Sequence, residues 1–344
     1  MIKNSLNNTI KHLLIPALMA GLVSCNKAAK EVEVPQQDTL TSEMVLPDAH
    51  DAETDNDTFE SVAYTIPYLG TADGSAIELN ITQSTVTDTV YGNYLDKYSE
   101  WGELGHDLNG KVSDGIYNFT VNAYSSTPGT LMLKQNGTAL TGTFKSGKGG
   151  NAQKINLSPA INIAANPQLK YGYRLTTAPP IAADDLPEGS DNYRILTAVE
   201  VYKGKELLQT LEFEREAISQ DNVISLADYN FDGYLDLLVE VRYPMLAKGD
   251  WGTVFYLYNP QSGRFEKSEE LNNFRVLNMY YGKKEILYGE ADGSGNESNT
   301  AYKWFKDTLL KVNKVYIIEE SPKTYHQEYT VQNGKSILTK EYTE

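Results

Sequence analysis

One run of nine residues carries most of the chemistry that this sequence offers. In Asp228-Tyr-Asn230-Phe-Asp232-Gly233-Tyr234-Leu-Asp236, side-chain oxygens fall at the first, third, fifth and ninth places, and glycine at the sixth. Alternate spacing along a tightly curled loop turns successive side chains toward one centre, and the glycine permits the sharp backbone turn. A hard cation such as calcium takes six to eight oxygens at about 2.3–2.6 Å. Asp228, Asn230, Asp232 and Asp236 would supply side-chain oxygens, and Tyr234 its main-chain carbonyl. The competing reading is an acidic β-hairpin in which Asp and Asn only form turns. Four oxygens in register with glycine favour calcium, in a stiffening rather than a catalytic role.

The elements that must hold this loop read as strands. Val223-Ile224-Ser-Leu226 enters it and Leu235-Asp-Leu-Leu-Val-Glu-Val241 leaves it, both rich in strand formers. The twelfth place is Val239 rather than the bidentate Glu of a helical EF-hand, and Glu240 comes one residue late. The expectation is a strand–loop–strand calcium site, similar to the loops of integrin-type propeller blades, with Asp236 as the closing ligand.

Other constellations are weaker. His50, His106 and His326 have no zinc spacing, and no Gly-x-Ser-x-Gly elbow occurs. Asp292-Gly-Ser-Gly-Asn-Glu297 reads as an acidic loop, without the lysine and helix of a phosphate cradle. Tyr280-Tyr281-Gly282, beside Lys283-Lys284, is the aromatic cluster to test first at an interface, although a structural role fits it better. Paired carboxylates could serve a glycoside hydrolase, and 46 acidic residues make a chance pair in a cleft expected. No catalytic motif is identified.

The chain has 344 residues with 30 Lys+Arg and 46 Asp+Glu. Residues 1–24 contain only Lys3 and Lys11 as charges, which leaves 28 basic against 46 acidic residues beyond them, a formal −18. Such a balance argues against nucleic acid as a partner, since phosphates need a basic face. It favours a basic or saccharide-bound partner. Cys25 is the sole cysteine, which excludes disulfide scaffolds, thiol catalysis and Cys-ligated zinc from the mature fold.

Cys25 instead belongs to an address. A basic start precedes the apolar run Leu13 to Val23, too short to span a bilayer and of the length of a signal-peptide core. Leu22-Val23-Ser24-Cys25 resembles the lipobox of bacterial lipoproteins, which implies a signal peptide over 1–24, acylation of Cys25 and membrane attachment through the acyl chains. Asn26 is not the aspartate that often marks inner-membrane retention in that family, so the outer membrane is expected. Residues 25–60 follow as an acidic tether: Glu31 to Glu60 holds ten carboxylates and no Lys or Arg. An acidic bait for a basic partner is the alternative.

Two all-β regions are expected beyond the tether. Over 61–158, short alternating runs such as Ile77-Glu-Leu-Asn-Ile81 and Tyr117-Asn-Phe-Thr-Val121 are punctuated by Asp73-Gly74, Asp114-Gly115, Asn136-Gly137 and Lys148-Gly149-Gly150. These predict a small sandwich or barrel. Prolines 159 and 167 mark a crossing near Leu157–Leu169. From 169 to 344, hairpins are expected across Lys203-Gly204-Lys205, Asn259 to Gly263, Lys306-Asp307 and Asn333-Gly334, giving a propeller-like antiparallel β domain. A short helix is expected over Glu266 to Asn273.

In the first region, Tyr91-Gly92-Asn-Tyr94 followed by Thr141-Gly142-Thr-Phe144 is similar to a module at the N-terminus of several envelope lipoproteins. The second region carries a more specific likeness. Val199-Glu-Val-Tyr, the Asp228 to Leu237 loop, Phe255-Tyr-Leu-Tyr-Asn-Pro with Gly263-Arg-Phe-Glu, and Trp304 before a Leu-Lys-Val strand occur in that order. This resembles the periplasmic immunity lipoproteins that neutralise peptidoglycan hydrolases delivered by an antibacterial type IV secretion system. The resemblance implies a calcium-loop, propeller-like fold that blocks a lysozyme-like effector, and only the loop ligands transfer residue by residue. The rival readings are a calcium-stabilised glycan-binding or scaffolding lipoprotein of the outer membrane and, less favoured, a glycoside hydrolase.

Overall fold

The computed structural model describes residues 59–102, 105–122, 128–179, 193–220, 223–243, 250–274, 277–319 and 321–344. The expected signal peptide over 1–24, Cys25 and the expected tether up to residue 58 lie outside them. Within them the protein is all-β, and its first eight strands follow from simple alternation. In β5 (Ile116–Asn122) Tyr117, Phe119 and Val121 are buried while Ile116, Asn118 and Thr120 are exposed, and β6 (Gly129–Asn136) repeats this with Leu131 and Leu133 against Thr130 and Met132. A period of two buries one face only, so such strands must curl around a shared interior.

They close into a barrel. With β1 (Val62–Ala72), β2 (Ser75–Ser84), β3 (Thr89–Leu95), β4 (His106–Ser113), β7 (Ala139–Lys145) and β8 (Gln153–Pro159), each strand pairs antiparallel with the next. β8 returns to β1, with Tyr68 opposite Pro159 and Ala72 opposite Ile155. The interior includes Ile66, Tyr68, Leu79, Leu131, Leu133, Leu140 and Ile155, each at most 2% exposed. Burial of a side chain of this size stabilises by about 1.5–3 kcal/mol. Two hairpins turn as the sequence predicts: Asp73-Gly74 and Asp114-Gly115 have positive φ at both residues, the signature of a two-residue type I′ connection. Gly142 answers a different demand, since a Cβ there would stand 1.9 Å from the Met132 carbonyl oxygen across the β6–β7 ladder.

The proline-marked crossing is two short 3-10 turns, Ile163–Ala165 and Pro167–Lys170. Beyond it come β9 (Tyr171–Ala178), β10 (Arg194–Lys203), β11 (Glu206–Ile218), β12 (Ile224–Ala227), β13 (Asp236–Tyr243), β14 (Asp250–Asn259) and β15 (Arg264–Lys267). This sheet is continuous with the barrel, because β12 pairs parallel with β1 (Val62 opposite Ile224, Tyr64 opposite Leu226). The expected hairpins β10–β11 and β14–β15 are present. The expected helix over 266–273 is not. Phe265 buries its ring opposite Tyr258, which makes Arg264–Lys267 a strand, and only Leu271–Asn273 coil, as a 3-10 turn with the Leu271 amide donating to Ser268 Oγ. Among the described residues, no helix is long and apolar enough to cross a membrane.

A second antiparallel sheet is a plain meander: β16 (Asn278–Tyr280), β17 (Glu285–Ala291), β18 (Glu297–Phe305), β19 (Thr308–Ile317), β20 (Thr324–Gln332) and β21 (Lys335–Thr343). Asn333-Gly334 makes the last two-residue turn, again with both φ positive. The meander is tied to the barrel through Glu78 on the outward face of β2, a carboxylate only 1% exposed. Glu78 accepts hydrogen bonds from the Tyr281 amide (3.0 Å), the Gly282 amide (2.9 Å), the Tyr98 hydroxyl (2.9 Å) and Asn80 Nδ2 (3.1 Å). Tyr280 and Tyr281 are buried here, so their role is to seat the sheet.

Candidate metal centre

The loop from Asp228 to Leu235 joins β12 to β13, strands that pair at its base, where Ala227 stands opposite Asp236. The strand–loop–strand frame expected from the sequence is therefore present. Inside it, the acidic side chains organise the backbone. The Asp232 amide donates to Asp228 Oδ1 (3.1 Å) and to Asn230 Oδ1 (3.0 Å), and the Gly233 amide donates to Asp228 Oδ2 (2.9 Å). Asn230 Nδ2 donates to Asp232 Oδ2 (2.9 Å), and the Tyr234 amide donates to Asp232 Oδ1 (2.8 Å). Gly233, with φ of 91°, takes the left-handed turn that its place in the run demands.

These contacts tie Asp228, Asn230 and Asp232 to the backbone at the mouth of the loop. Asp236 is held deeper, with Oδ2 accepting the Tyr229 amide and Oδ1 the Tyr258 amide, each at 2.8 Å. Asp228 is 3% exposed and Asp236 fully buried, whereas Asp232 faces solvent. Burial is the main influence on both inner carboxyls. It pushes Asp228 from its ordinary 3.8 up to about 7, against the lowering influence of the Gly233 amide and with the Asp232 charge adding to the rise. Asp236 is raised well above the carboxylate range by the same desolvation, despite its two amide donors, and the Asp228 and Asp232 charges raise it further.

Among the described residues, the largest influences on the two buried acids are burial, backbone amides and one another's charges, with no cationic side chain among them. Two ionised carboxylates in such a place are unfavourable unless a positive charge joins them. Each carboxylate oxygen that accepts one N–H keeps a second lone pair. The donor set is all oxygen, three carboxylates with an amide and a carbonyl, and so by charge and donor type it fits a divalent cation of the calcium kind. Among the described residues, three His, Cys, Asp or Glu side chains are nowhere gathered closely enough to hold a metal ion by themselves. In this conformation the carboxylates are spread over the loop's own amides, and Asn230 and the Tyr234 carbonyl belong to the proposed set as much as the acids do.

The supports around the loop come from distant sequence. Asn166, 3% exposed in the crossing, accepts the Leu235 amide at 2.6 Å through Oδ1 and donates to the Gly233 carbonyl at 2.9 Å through Nδ2. Trp304 Nε1 donates to the Tyr229 carbonyl (3.1 Å), and Lys284 Nζ reaches the Phe231 carbonyl (3.4 Å). Tyr229 packs edge-on against Phe255 and Phe231 against Tyr281. Sequence reasoning passed over Asn166, whose neighbourhood reads only as a proline-broken connector.

No protein-family model matches the chain, and neither does any curated protein. Among solved structures it is similar to a Xanthomonas type IV secretion system related protein, at 14% identity and a TM-score of 0.39, over 50% of this chain and 90% of that one. A likeness of that degree establishes neither fold nor function.

Proposed function

We propose that this chain is an envelope-anchored binding lipoprotein, acylated at Cys25 and held at the outer membrane, that blocks a lysozyme-like peptidoglycan hydrolase. Its second region is stiffened by one calcium ion on Asp228, Asn230, Asp232, the Tyr234 carbonyl and Asp236. The observation that carries the reading is the loop between β12 and β13. It has the flanks that the resemblance to the immunity lipoproteins implies, and it buries two acids whose largest influences, among the described residues, include no cationic side chain. Fixed hairpins around a rigid loop lower the ordering cost of binding, and the net charge would steer a basic muralytic enzyme toward the protein.

A glycan-binding role is the second reading, supported by one face of the meander. Tyr288, Tyr302, Tyr316, Tyr325 and Tyr329 are half-buried there, Tyr316 and Tyr325 stack at 4.9 Å, and Lys311 lies 5.3 Å over the Tyr329 ring. Flat, partly exposed rings of this kind suit sugar faces as well as protein partners.

The deciding experiment adds the purified chain to a lysozyme-like hydrolase clearing a peptidoglycan suspension. Stoichiometric loss of clearing in calcium, relieved by EGTA, is expected. Unimpeded clearing at large excess of the chain, together with its retention on polysaccharide, would replace the first reading by the second.

A further inference from the structure

A cleft of about 80 Å³ opens between the meander and the segment that follows β3. That segment is pinned over the sheet by the Tyr280 hydroxyl donating to the Ser99 carbonyl (2.9 Å), Asn278 Nδ2 to the Gly102 carbonyl (3.0 Å) and Asn299 Nδ2 to the Trp101 carbonyl (2.6 Å). Leu287, Ala301 and Val315 give the cleft an apolar floor. Its polar lining is biased toward acceptors. Asn299 Oδ1 and Asn313 Oδ1 are both shielded from solvent and accept no hydrogen bond, and the Asn299 orientation is fixed because its Nδ2 is already committed to Trp101. A buried acceptor without a donor costs about 1–3 kcal/mol. Glu100 adds a carboxylate that also lies 3.5 Å from His326 Nδ1.

The one cation in the lining is occupied. Lys283 Nζ stands 4.8 Å over the Tyr98 ring and 4.0 Å from Glu285, and Lys303 Nζ comes within 3.3 Å of the same Glu285. Glu285 is thus answered by two lysines, while among the described residues Glu100 has only His326 beside it and the amide oxygens of the lining residues Asn299 and Asn313 accept nothing. Three acceptors above an apolar floor call for a ligand with several N–H donors at one end and a hydrocarbon stem at the other. A primary ammonium carries three such donors. A water needs roughly 10–15 Å³ of such space, so the cleft has room for about five non-hydrogen atoms. That is the size of a four-carbon amine, or of the end of a lysine side chain.

We infer that this cleft is a binding site for a primary ammonium on a short aliphatic stem, held by Asn299 Oδ1, Asn313 Oδ1 and the Glu100 carboxylate. The site is separate from the loop at Asp228, and its existence does not depend on what that loop binds.

Calorimetric titration of the purified full-length chain with n-butylammonium tests it. A ligand of five heavy atoms should bind with a dissociation constant on the order of 1 mM. Loss of one charge-assisted hydrogen bond in Glu100→Gln should weaken binding about tenfold, and this exposed position should leave the melting curve unchanged. Asn313→Leu should abolish binding. A second arm uses Nα-acetyl-lysine amide as competitor: displacement assigns the site to lysine side chains of a polypeptide, and failure to displace assigns it to small free amines. Absence of saturation, equal binding of n-butanol, or an unchanged affinity in Glu100→Gln would overturn the inference and leave the cleft to water.

Discussion

Replacing Asp228 by asparagine should have opposite effects with and without calcium. In the metal-free protein, burial lifts the Asp228 carboxyl from 3.8 to about 7, and at 1.36 kcal/mol per unit the ionised form costs the fold about 4 kcal/mol above neutral pH. Asparagine removes that charge but keeps a single acceptor oxygen for the two amides of Asp232 and Gly233, which costs about 1–3 kcal/mol. The variant should therefore be the more stable protein in EGTA at about pH 8, by roughly 1–3 kcal/mol, or several degrees of melting temperature. Because the folded-state value is raised, the wild-type contribution is fully present below about pH 4 and is lost as pH climbs through about 7. The asparagine variant should lose the Asp228 share of that decline, while the share of Asp236, which burial also raises, persists. With calcium at a thousandfold excess over its dissociation constant, wild type gains about 4.1 kcal/mol, nearly all of which the variant forgoes, so the order inverts. Differential scanning calorimetry of both proteins in calcium and in EGTA reads all of this. A variant less stable than wild type in EGTA above neutrality, or equal calcium shifts in the two proteins, would refute the reasoning.

Two further substitutions probe the surroundings. Asn166→Leu strips the Leu235 amide and the Gly233 carbonyl of their partner, and chemical denaturation should register a loss of about 2–4 kcal/mol with a diminished response to calcium; an undiminished response would show that the loop holds its shape unaided. Glu78→Ala leaves four donors without an acceptor where the meander meets β2, so stability should fall by about 3–5 kcal/mol and hydrogen exchange should quicken at Tyr281 and Gly282. Unchanged exchange at those amides would mean that apolar packing alone seats the sheet.

What could be read from the sequence was local. Asp73-Gly74, Asp114-Gly115 and Asn333-Gly334 declare their hairpins because few other residue pairs accept positive φ twice in succession. The flanks of the Asp228 loop were legible for the same reason, since strand-forming residues crowd both sides of it. Long-range relations were not. Ile77-Glu-Leu-Asn-Ile81 reads as a strand with one wet face, yet Glu78 and Asn80 are buried because the meander covers them. Nothing near Val62 announces a parallel partner at Ile224, and nothing near Asn166 announces the loop it braces. The helix expected over 266–273 failed because pairing of Phe265 with Tyr258 outweighed a weak local preference.

The placement of β1 sets how this protein would answer a pull at its leading end. One edge of the strand is laced to β2 from Ala63 to Ala72, and the other is shared between β12 and β8. Just ahead of it, Glu60 is clasped by Arg194 at 2.8 Å and its amide by the Tyr173 carbonyl. Tension entering at residue 59 therefore meets a clasp first and then runs lengthwise along a strand gripped on both flanks. Its bonds must slide together in shear, not peel singly, and that geometry resists extraction.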